Sequence, residues 1–236
     1  MIGTWVNVGG ILLGAVIGVL LGRGIPERIR DSVLQIEGLA ILLIGLNGVL
    51  GTMLRVDPAT GRISDQGGLL LLVSLVLGDL LGEALRIDER INRWGERVER
   101  KLGAQGFSRG FVAASLVFSI GAMSVVGSIN DGLRGDTAVL LIKSALDFTT
   151  SIILASSLGI GVAFSALPVL LLQGSISLLA SSISGLITEP LLEMFCMVGY
   201  AIVLSIGLNF LCNTRIKTAN LLPALIVPVI YYFVRY

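Results

Sequence analysis

Hydrophobic and polar positions divide the chain into long apolar runs separated by short polar segments. Each run holds about 20 residues with few or no charges, which is enough for a helix to cross about 30 Å of hydrocarbon. The runs lack the strict alternation that a transmembrane barrel strand needs. The pattern therefore predicts an all-α polytopic membrane protein, folded as a single integral membrane domain over 1–236, with about eight transmembrane helices. The predicted spans are 5–22, 33–54, 68–86, 110–129, 137–157, 162–187, 191–211 and 218–235.

The stretch 154–190 is the part of this map that the pattern leaves open. Its segment SSLGIGVAFSALP places small residues and a proline between two apolar runs. A short loop, a broken helix and a re-entrant turn all fit this composition.

Basic residues concentrate in alternate connecting segments of the chain. Twelve Lys and Arg residues fall on one side of the predicted spans and four on the other. Cytoplasmic loops of membrane proteins hold this kind of excess. We therefore expect a multi-pass protein of the bacterial cytoplasmic (inner) membrane, with both termini on the non-cytoplasmic face.

Composition agrees with a membrane protein and removes several function classes. The chain is 54% hydrophobic and 14% charged, with a mean hydropathy of +0.92, whereas an ordinary soluble domain has about 25% charged residues. A formal net charge of +1 gives no reason to expect nucleic acid as a partner. The absence of histidine excludes histidine-based metal sites, triads and proton relays. Cys196 and Cys212 lie on one predicted helix, about 24 Å apart by helical rise, which is too far for a disulfide.

The segment RIDERINRWGERVERKLG, within 87–109, predicts an amphipathic helix at the cytoplasmic face. Apolar residues recur at helical intervals among charges of both signs. These apolar residues are Ile87, Ile91, Trp94, Val98 and Leu102. A solvated connector and a surface that binds lipid or a partner protein both fit this pattern.

An internal repeat relates the two ends of the chain. The segment GLAILLIGLN (38–47) resembles GYAIVLSIGLN (199–209), and this match relates Asn47 to Asn209 at an offset of 162. Pro26 and Pro190 share nearly the same offset, 164. A series of small residues matches at an offset of 163, with Gly14, Gly18 and Gly22 opposite Ser177, Ser181 and Gly185. A common bias towards glycine in apolar helices is the alternative explanation.

Five predicted spans precede the second copy, so the two copies enter the membrane in opposite directions. We therefore predict an inverted repeat of helices 1–3 and helices 6–8, which is the plan of many secondary transporters. In this interpretation 1–86 and 162–236 are the two repeat units. The cytoplasmic amphipathic segment is 87–109, and 110–161 holds the central helices four and five.

Small residues form a stripe along the first span. The stripe consists of Gly10, Gly14, Gly18 and Gly22, joined on the same face by Gly3 and Asn7. Residues at this spacing share a helix face, and the missing side chains let another backbone approach closely. We interpret the stripe as a packing surface, either within the protomer or between two copies in a homo-oligomer.

Two charges inside the predicted fifth span form the strongest candidate site. Lys143 and Asp147 lie about 9 and 15 Å from the outer end of the span by helical rise, which puts Asp147 near the bilayer centre. Each charge costs about 2.5–3.5 kcal/mol when it faces lipid, so both are expected to face the protein interior or a water-filled cavity. Residues four apart share a helix face and can pair directly. Ser144 and Ser151 extend the same polar face.

Two roles fit this pair. The first is a neutralised ion pair that holds helices together. Apolar packing can often replace a buried ion pair of that kind with little loss of stability. This favours the second role, in which the pair lies on the pathway of a solute or an ion.

The segment GSINDGLRGDT, before the fifth span, supplies Asn130, Asp131 and Asp136. Asp136 is placed to cap the N-terminus of the fifth span, an interaction that stabilises a helix by about 1 kcal/mol. A mouth or gate for a polar solute is the alternative role for this segment.

Other polar residues inside the predicted spans extend the list of candidates. Glu37 and Asp79 have no opposite charge nearby in the sequence, whereas Glu83 has Arg86 and Arg90. Three amide side chains either line the same interior or make hydrogen bonds between helices. They are Gln173, Asn47 and Asn209.

Catalytic motifs are missing from the sequence. It contains no GxSxG, no HExxH, no phosphate-binding P-loop and no dinucleotide-binding glycine fingerprint. We therefore expect neither enzyme activity nor a cofactor. The leading hypothesis is a small secondary transporter or channel-like permease, in which a solute, ion or proton competes with the pairing of Lys143 and Asp147. The alternative is a non-transporting membrane scaffold or regulatory subunit that binds partners through the glycine stripe and the amphipathic segment.

The stretches GDTAVLLIKSALDF and SSLGIGVAFSALPVLLLQGSISLLA resemble the bacterial membrane proteins grouped as domain of unknown function 554. The resemblance covers essentially the whole chain and is most specific across 121–180. The matching residues are Gly135, Asp136, Lys143, Ser144, Asp147, Gly159, Gly161, Gln173 and Gly174. Phe148 departs from the family, which often has a small residue after the aspartate. The resemblance implies a polytopic membrane fold and, through the transport-protein label that some members carry, transport of an unnamed substrate.

Overall fold

A computed structural model describes residues 1–22, 26–56, 61–65, 67–102, 106–120, 122–183 and 186–235, and these ranges are almost entirely helical. The helices are α1 (Ile2–Gly22), α2 (Glu27–Met53), α3 (Gly68–Ala84), α4 (Ile87–Leu102), α5 (Phe107–Ser119), α6 (Ala122–Arg134), α7 (Ala138–Leu158), α8 (Gly161–Phe164), α9 (Ala166–Ile183), α10 (Glu189–Cys212) and α11 (Ile226–Arg235). A 3-10 helix, Thr218–Leu225, precedes α11. Between α2 and α3, strand β1 (Leu54–Val56) pairs antiparallel with β2 (Ile63–Asp65).

The described helices confirm an all-α polytopic membrane fold. Six of them are long and apolar enough to cross a membrane, and the number rises to eight when each of two bent helix pairs counts as one span. The bent pairs are α3 with the start of α4, at 56°, and α5 with α6, at 62°. Large apolar side chains remain exposed along these helices, as for Leu13 and Leu20 of α1. Hydrocarbon is the solvent that such surfaces fit.

The stretch that the sequence left open resolves into a tight turn. Helix α7 ends at Leu158, and Gly159 follows with φ 77° and ψ −159°, a conformation that glycine tolerates best. The short helix α8 then leads into α9. The bend in the central helices lies instead between α5 and α6, where Ile120 is extended and Gly121 lies outside the described residues.

The chain divides into two compact units. Unit 1 consists of Met1–Glu37 and Ile91–Ile187, and unit 2 consists of Gly38–Arg90 and Thr188–Tyr236. Each unit joins segments that are distant in the sequence. The repeat units themselves stay a prediction, and Gly185, one of the matched small residues, lies outside the described residues.

In unit 1 the glycine stripe of α1 packs along α7. Gly10 meets the backbone of Ser144, and the next three glycines of the stripe meet the carbonyl oxygens of Phe148, Ile152 and Ser156. The partner in each contact lies 134 positions later in the chain, so the two helices run in the same direction. A Cβ atom at Gly14 would overlap the Phe148 carbonyl oxygen. The glycine stripe therefore packs within one chain, where α7 covers it. A homo-oligomer formed through these four glycines stays a prediction.

Helices α6 and α9 of unit 1 also pack through small residues. The Ser177 hydroxyl donates to the Ser128 carbonyl oxygen at 2.9 Å. A Cβ atom at Gly132 would overlap the Ser177 carbonyl oxygen and would lie 2.7 Å from the Ala180 Cβ. These contacts advance together along both helices, so α6 and α9 run in the same direction as well.

An aromatic cluster joins α4 to the rest of unit 1. The Trp94 ring lies 5.4 Å from Phe107 and 5.1 Å from Phe111 between centroids, and Phe164 lies 4.9 Å from Phe107. The apolar face of the amphipathic segment is therefore a packing surface, at least at Trp94.

In unit 2, α2 and α10 cross through reciprocal contacts. A Cβ atom at Gly45 would lie 2.8 Å from the Leu204 nitrogen, and one at Gly207 would lie 2.5 Å from the Leu42 nitrogen. Farther along, a Cβ atom at Gly38 would lie 2.6 Å from the Leu211 nitrogen. Residue numbers rise on one helix as they fall on the other, so α2 and α10 are antiparallel.

Glu83 pairs with a residue far away in the sequence. Its carboxylate accepts from the Lys217 ammonium at 2.8 Å and from the Asn220 amide at 2.6 Å. The hydrogen bond to Glu83 raises the pKa of Lys217. The sequence pattern explained Glu83 by the neighbouring Arg86 or Arg90. In the structure its carboxylate pairs instead with Lys217, and Arg86 lies in the turn between α3 and α4 with φ 50°.

Candidate functional site

The strongest candidate site lies where α1 meets α7 in unit 1, and we call it the polar seam. It consists of Asn7, Lys143, Ser144, Asp147 and Ser151, all buried. The Lys143 Nζ donates to Asp147 Oδ2 at 2.6 Å and to Oδ1 at 2.9 Å, and the two side chains are 7% and 9% exposed. The direct i, i+4 pairing has the geometry that the sequence predicted.

The ion pair does not lie at the middle of the helix. Helix α7 covers Ala138–Leu158, so its central residue is Phe148. Lys143 precedes Phe148 by five residues, or about 7.5 Å of helical rise. The expectation of a pair at the bilayer midplane is thus corrected to a pair in the N-terminal half of α7. The cause is that only Asp147 comes within one residue of the helix centre, whereas Lys143 lies one turn earlier, so the midpoint of the pair is about 4.5 Å from the centre of α7.

Two members of the polar seam lack hydrogen-bond partners. The Asn7 carboxamide faces the Asp147 carboxylate and interacts with it, but neither its oxygen nor its nitrogen makes a well-formed hydrogen bond with a described residue. The Ser151 hydroxyl is fully buried and likewise has none there. Ser144 differs, because its hydroxyl donates to the Leu140 carbonyl oxygen at 2.6 Å. A buried polar group without a partner costs about 1–3 kcal/mol, so Asn7 and Ser151 need an explanation.

Close helix packing is what buries the polar seam. The stripe glycines bring the α1 backbone against α7, and the Ser151 Cβ would lie 2.9 Å from a Cβ atom at Gly14. Asn7 belongs to the same face of α1, one turn before Gly10. The sequence pattern had placed Asn7 on the stripe without giving it a role. A single amide in an otherwise small and apolar stripe was the available signal.

Asp131 lies at the end of unit 1 where α6 ends and α7 begins. It is 3% exposed, and its carboxylate accepts from the Met1 ammonium at 2.9 Å and from the Gly3 amide at 3.1 Å. Asp136 accepts from the Ala138 amide at 3.0 Å, so it binds the first amide of α7 from one position before Thr137, which occupies the N-cap. Asn130 is half-buried, and its carbonyl oxygen accepts from the Asp136 amide at 3.3 Å.

Two further candidates of unit 1 are buried polar residues. Gln173 is fully buried on α9, and neither end of its carboxamide has a partner among the described residues. Glu37 is 6% exposed, and it accepts from the Ser157 hydroxyl at 3.3 Å through one carboxylate oxygen. Its other oxygen has no partner within the described ranges.

Three candidates belong to unit 2. Asn47 and Asp79 are exposed. Asn209 accepts from the Thr214 hydroxyl at 2.7 Å and the Ile216 amide at 3.0 Å, and it donates to the Ile216 carbonyl oxygen at 2.8 Å. These bonds organise the turn after α10, so Asn209 has a structural explanation there.

The chemistry of the polar seam is that of a charge pair with spare hydrogen-bonding capacity. The carboxamide of Asn7 and the hydroxyl of Ser151 can each donate to a carboxylate or accept from an ammonium. Among the described residues, no three Cys, Asp or Glu side chains come together as they would to hold a metal ion. The arrangement therefore fits the exchange of one polar partner for another.

Comparison with known proteins places the whole chain in one family. A family model described as "Protein of unknown function (DUF554)" matches residues 2–233. "Uncharacterized membrane protein YdfK" of Bacillus subtilis (strain 168) is 34% identical over 235 residues, covering 99% of this chain and 96% of the relative. "Uncharacterized protein YqgA" of Escherichia coli (strain K12) is 32% identical over 234 residues, covering 96% of this chain and 94% of the relative. No solved structure matches the chain. This chain is therefore a membrane protein that belongs to the DUF554 family.

Proposed function

We propose that the protein is a small secondary transporter or channel-like permease for a small solute or ion, and that the polar seam is part of its pathway. The observation that carries the proposal is a buried ion pair beside two buried polar side chains that make no well-formed hydrogen bond within the described residues. A pair that only neutralised two charges on α7 would gain nothing from leaving the hydrogen-bonding capacity of Asn7 and Ser151 unused. A site that exchanges partners needs such groups in reserve.

The mechanism follows from the donors and acceptors of the polar seam. A proton on Asp147, or a solute that binds either charge, weakens the bond between Lys143 and Asp147. Asn7 and Ser151 then supply replacement partners to the released groups, which lowers the cost of separating the charges. The occupied and empty seams differ in the strength of the contact between α1 and α7, and a ligand that binds one arrangement better shifts the population towards it.

Contacts in each unit support an inverted repeat, the plan on which alternating access is built in many carriers. In unit 2, the contact of Gly45 with Leu204 becomes the contact of Gly207 with Leu42 when each residue is moved by the repeat offset of 162. In unit 1, α1 packs along α7 at Gly14, whereas α9 packs along α6 at Ser177, the repeat partner of Gly14. Both pairs run parallel and use small residues. In this arrangement the first helix of one repeat packs on helix five, and the first helix of the other repeat packs on helix four.

We infer that the protein lies in the bacterial cytoplasmic membrane with both termini on the non-cytoplasmic face. The inference rests on the twelve-to-four distribution of basic residues. In this orientation the end of unit 1 that holds Asp131 and the first turn of α7 opens away from the cytoplasm.

Flux into proteoliposomes tests the proposal. Purified protein is reconstituted, and uptake is followed for protons with an enclosed pH dye and for labelled sodium, rubidium, chloride and amino acids. We expect flux of at least one probe, and Lys143→Met and Asp147→Asn each lower it by at least about tenfold, since each removes a charge that the pathway uses. Asp31→Asn is the matched control, because Asp31 is exposed near the start of α2 and lies outside the proposed pathway.

Two results would contradict the transporter. One is the absence of flux for every probe in liposomes that hold correctly folded protein. The other is a flux that Lys143→Met and Asp147→Asn leave at the level of Asp31→Asn.

A scaffold or regulatory subunit is the rival function, and the exposed charged face of α4 favours it. Arg97, Arg100 and Lys101 are exposed there. The rival predicts that a second protein copurifies in a fixed ratio and is lost in Arg97→Ala/Arg100→Ala. Trp94 is unsuitable for this test, because it packs against Phe107 and Phe111 and its removal would disturb unit 1.

A further inference from the structure

Unit 2 contains a cavity of about 760 Å³ that the proposed pathway does not include. It lies among the C-terminal ends of α2 and α11 and the first turns of α3 and α10. Small-molecule sites in proteins range from about 300 to 1,000 Å³. The cavity therefore has the size of a site for a small organic molecule.

One part of the cavity wall is apolar and adaptable. Leu69, Val73, Met194 and Met197 contribute to it, and Met197 is 1% exposed. Gly67 has φ 122°, and a Cβ atom there would lie 3.0 Å from the Met197 Cε. Glycine thus lets the backbone before α3 approach the methionine. Flexible thioether side chains of this kind fit apolar groups of irregular shape.

The rest of the wall carries more negative than positive charge. Asp65 and Glu193 supply two carboxylates, and Arg235 supplies the one guanidinium among the described lining residues. Arg235 donates to the Tyr231 hydroxyl and lies 5.6 Å from the centroid of the Tyr231 ring. Asp65 Oδ1 accepts from the Gly68 amide at 3.1 Å, which fixes this carboxylate at the start of α3. The net charge of these groups is negative by one.

We infer that this cavity binds an amphipathic organic cation, with an ammonium or guanidinium head on an apolar body. The two carboxylates attract the head, and charge-assisted hydrogen bonds from it are stronger than neutral ones. The apolar wall accepts the body of the ligand. A bare metal ion fits less well, because no group of three potential ligands occurs in the described part of the chain.

Calorimetric titration of the full chain in nanodiscs tests the inference, with empty nanodiscs as the blank. The probe is 2-phenylethylammonium. The neutral 3-phenylpropan-1-ol and the anionic 3-phenylpropionate have similar apolar bodies and report how much the charge contributes. We expect saturable binding of the cation with one site per chain and much weaker binding of the other two.

Isosteric variants identify the residues that bind the head group. Asp65→Asn keeps the oxygen that accepts from Gly68, so α3 retains its cap. We expect Asp65→Asn and Glu193→Gln each to weaken binding by about tenfold. Asp79→Asn, which is exposed on α3 and does not line the cavity, leaves binding unchanged. Val73→Trp, which fills the cavity and removes no charge, abolishes binding and remains informative if an isosteric variant fails to fold.

Several results would overturn the inference. They are the absence of saturable binding, equal or tighter binding of the alcohol or the carboxylate, and unchanged binding in the Asp65→Asn/Glu193→Gln variant or in Val73→Trp. The inference does not depend on the transporter proposal, because Lys143 does not line this cavity. We expect Lys143→Met to leave this binding intact, so the two proposals can fail separately.

Discussion

Packing between α1 and α7 gives the sharpest prediction of stability. Valine replaces Gly14, whose face of α1 meets the α7 backbone. A Cβ atom at Gly14 would overlap the Phe148 carbonyl oxygen and would lie 2.9 Å from the Ser151 Cβ. Side-chain movement cannot relieve an overlap with backbone, so the two helices must separate.

The expected loss is in the range known for overpacked cores, about 1–3 kcal/mol of the free energy of unfolding. Gly18→Val should cost a similar amount, because a Cβ atom at Gly18 meets the Ile152 carbonyl oxygen in the same way. The double variant should lose less than the two single losses together, since one separation of the helices accommodates both side chains.

Gly9 provides a matched control on the same helix. Nothing lies within 4 Å of a Cβ atom built there. Gly9→Val should change the free energy of unfolding by less than about 0.5 kcal/mol, as surface substitutions usually do. The measurement is equilibrium unfolding in mixed detergent micelles, followed by far-UV circular dichroism.

Equal losses for Gly9→Val and Gly14→Val would refute this packing, because the two glycines lie on different faces of α1. So would an unchanged free energy of unfolding in Gly14→Val. Either result would also remove the close contact that buries the polar seam.

Three further predictions concern other contacts, each measured by the same unfolding assay. Lys143→Leu and Asp147→Leu should each cost about 3–5 kcal/mol by leaving a buried charge unpaired, whereas the double variant should cost less than either. A cost of the double variant equal to the sum of the two single costs would contradict a direct pair. Gly45→Val and Gly207→Val should each lower the free energy of unfolding by about 1–3 kcal/mol, whereas Gly51→Val, with open space around it, should change it little. Clearly unequal losses at Gly45 and Gly207 would argue against reciprocal packing of α2 and α10. Asn220→Ala should cost about 1–3 kcal/mol, because the buried amide accepts from Asp88 and donates to Glu83, while exposed Asn47→Ala should change little, and similar effects of the two would be contrary to this assignment.

Local sequence patterns were sufficient for the helices and for contacts within one helix. The number and approximate limits of the spans follow from hydropathy, because hydrocarbon rewards long apolar helices regardless of their neighbours. The pairing of Lys143 with Asp147 follows from helical periodicity alone. The hydrogen bond from the first amide of α7 to Asp136 also involves only neighbouring residues, although the N-cap position itself is Thr137.

Contacts between distant segments were beyond local patterns. Glu83 binds Lys217 and Asn220, more than 130 positions away, although two arginines stand beside it in the sequence. Asn209 and Asn47 match in the repeat, yet one organises the turn after α10 and the other is exposed. Their shared position in a motif did not determine their surroundings.

The bend in the central helices illustrates the same limit. Glycines and a proline drew attention to 154–190, but α7 and α9 are long helices on either side of a tight turn. The bend between α5 and α6 falls in a stretch without proline. Ser119 and Gly121 flank this bend in the sequence, but small residues also occur within the long helices of the chain, so local composition does not single out the bend.

The central claim is that the buried polar seam is part of a transport pathway, which requires the seam to open to water during transport, and thiol accessibility at Ser151 tests this most directly. Ser151→Cys is placed in a chain in which Cys196→Ala and Cys212→Ala remove the native thiols, and intact membranes are treated with a small, charged, membrane-impermeant thiol reagent. The account predicts that the introduced thiol is labelled, and labelled faster when Asp147→Asn weakens the ion pair. A thiol that stays unlabelled in membranes with and without Asp147→Asn, yet reacts fully after denaturation, would contradict it.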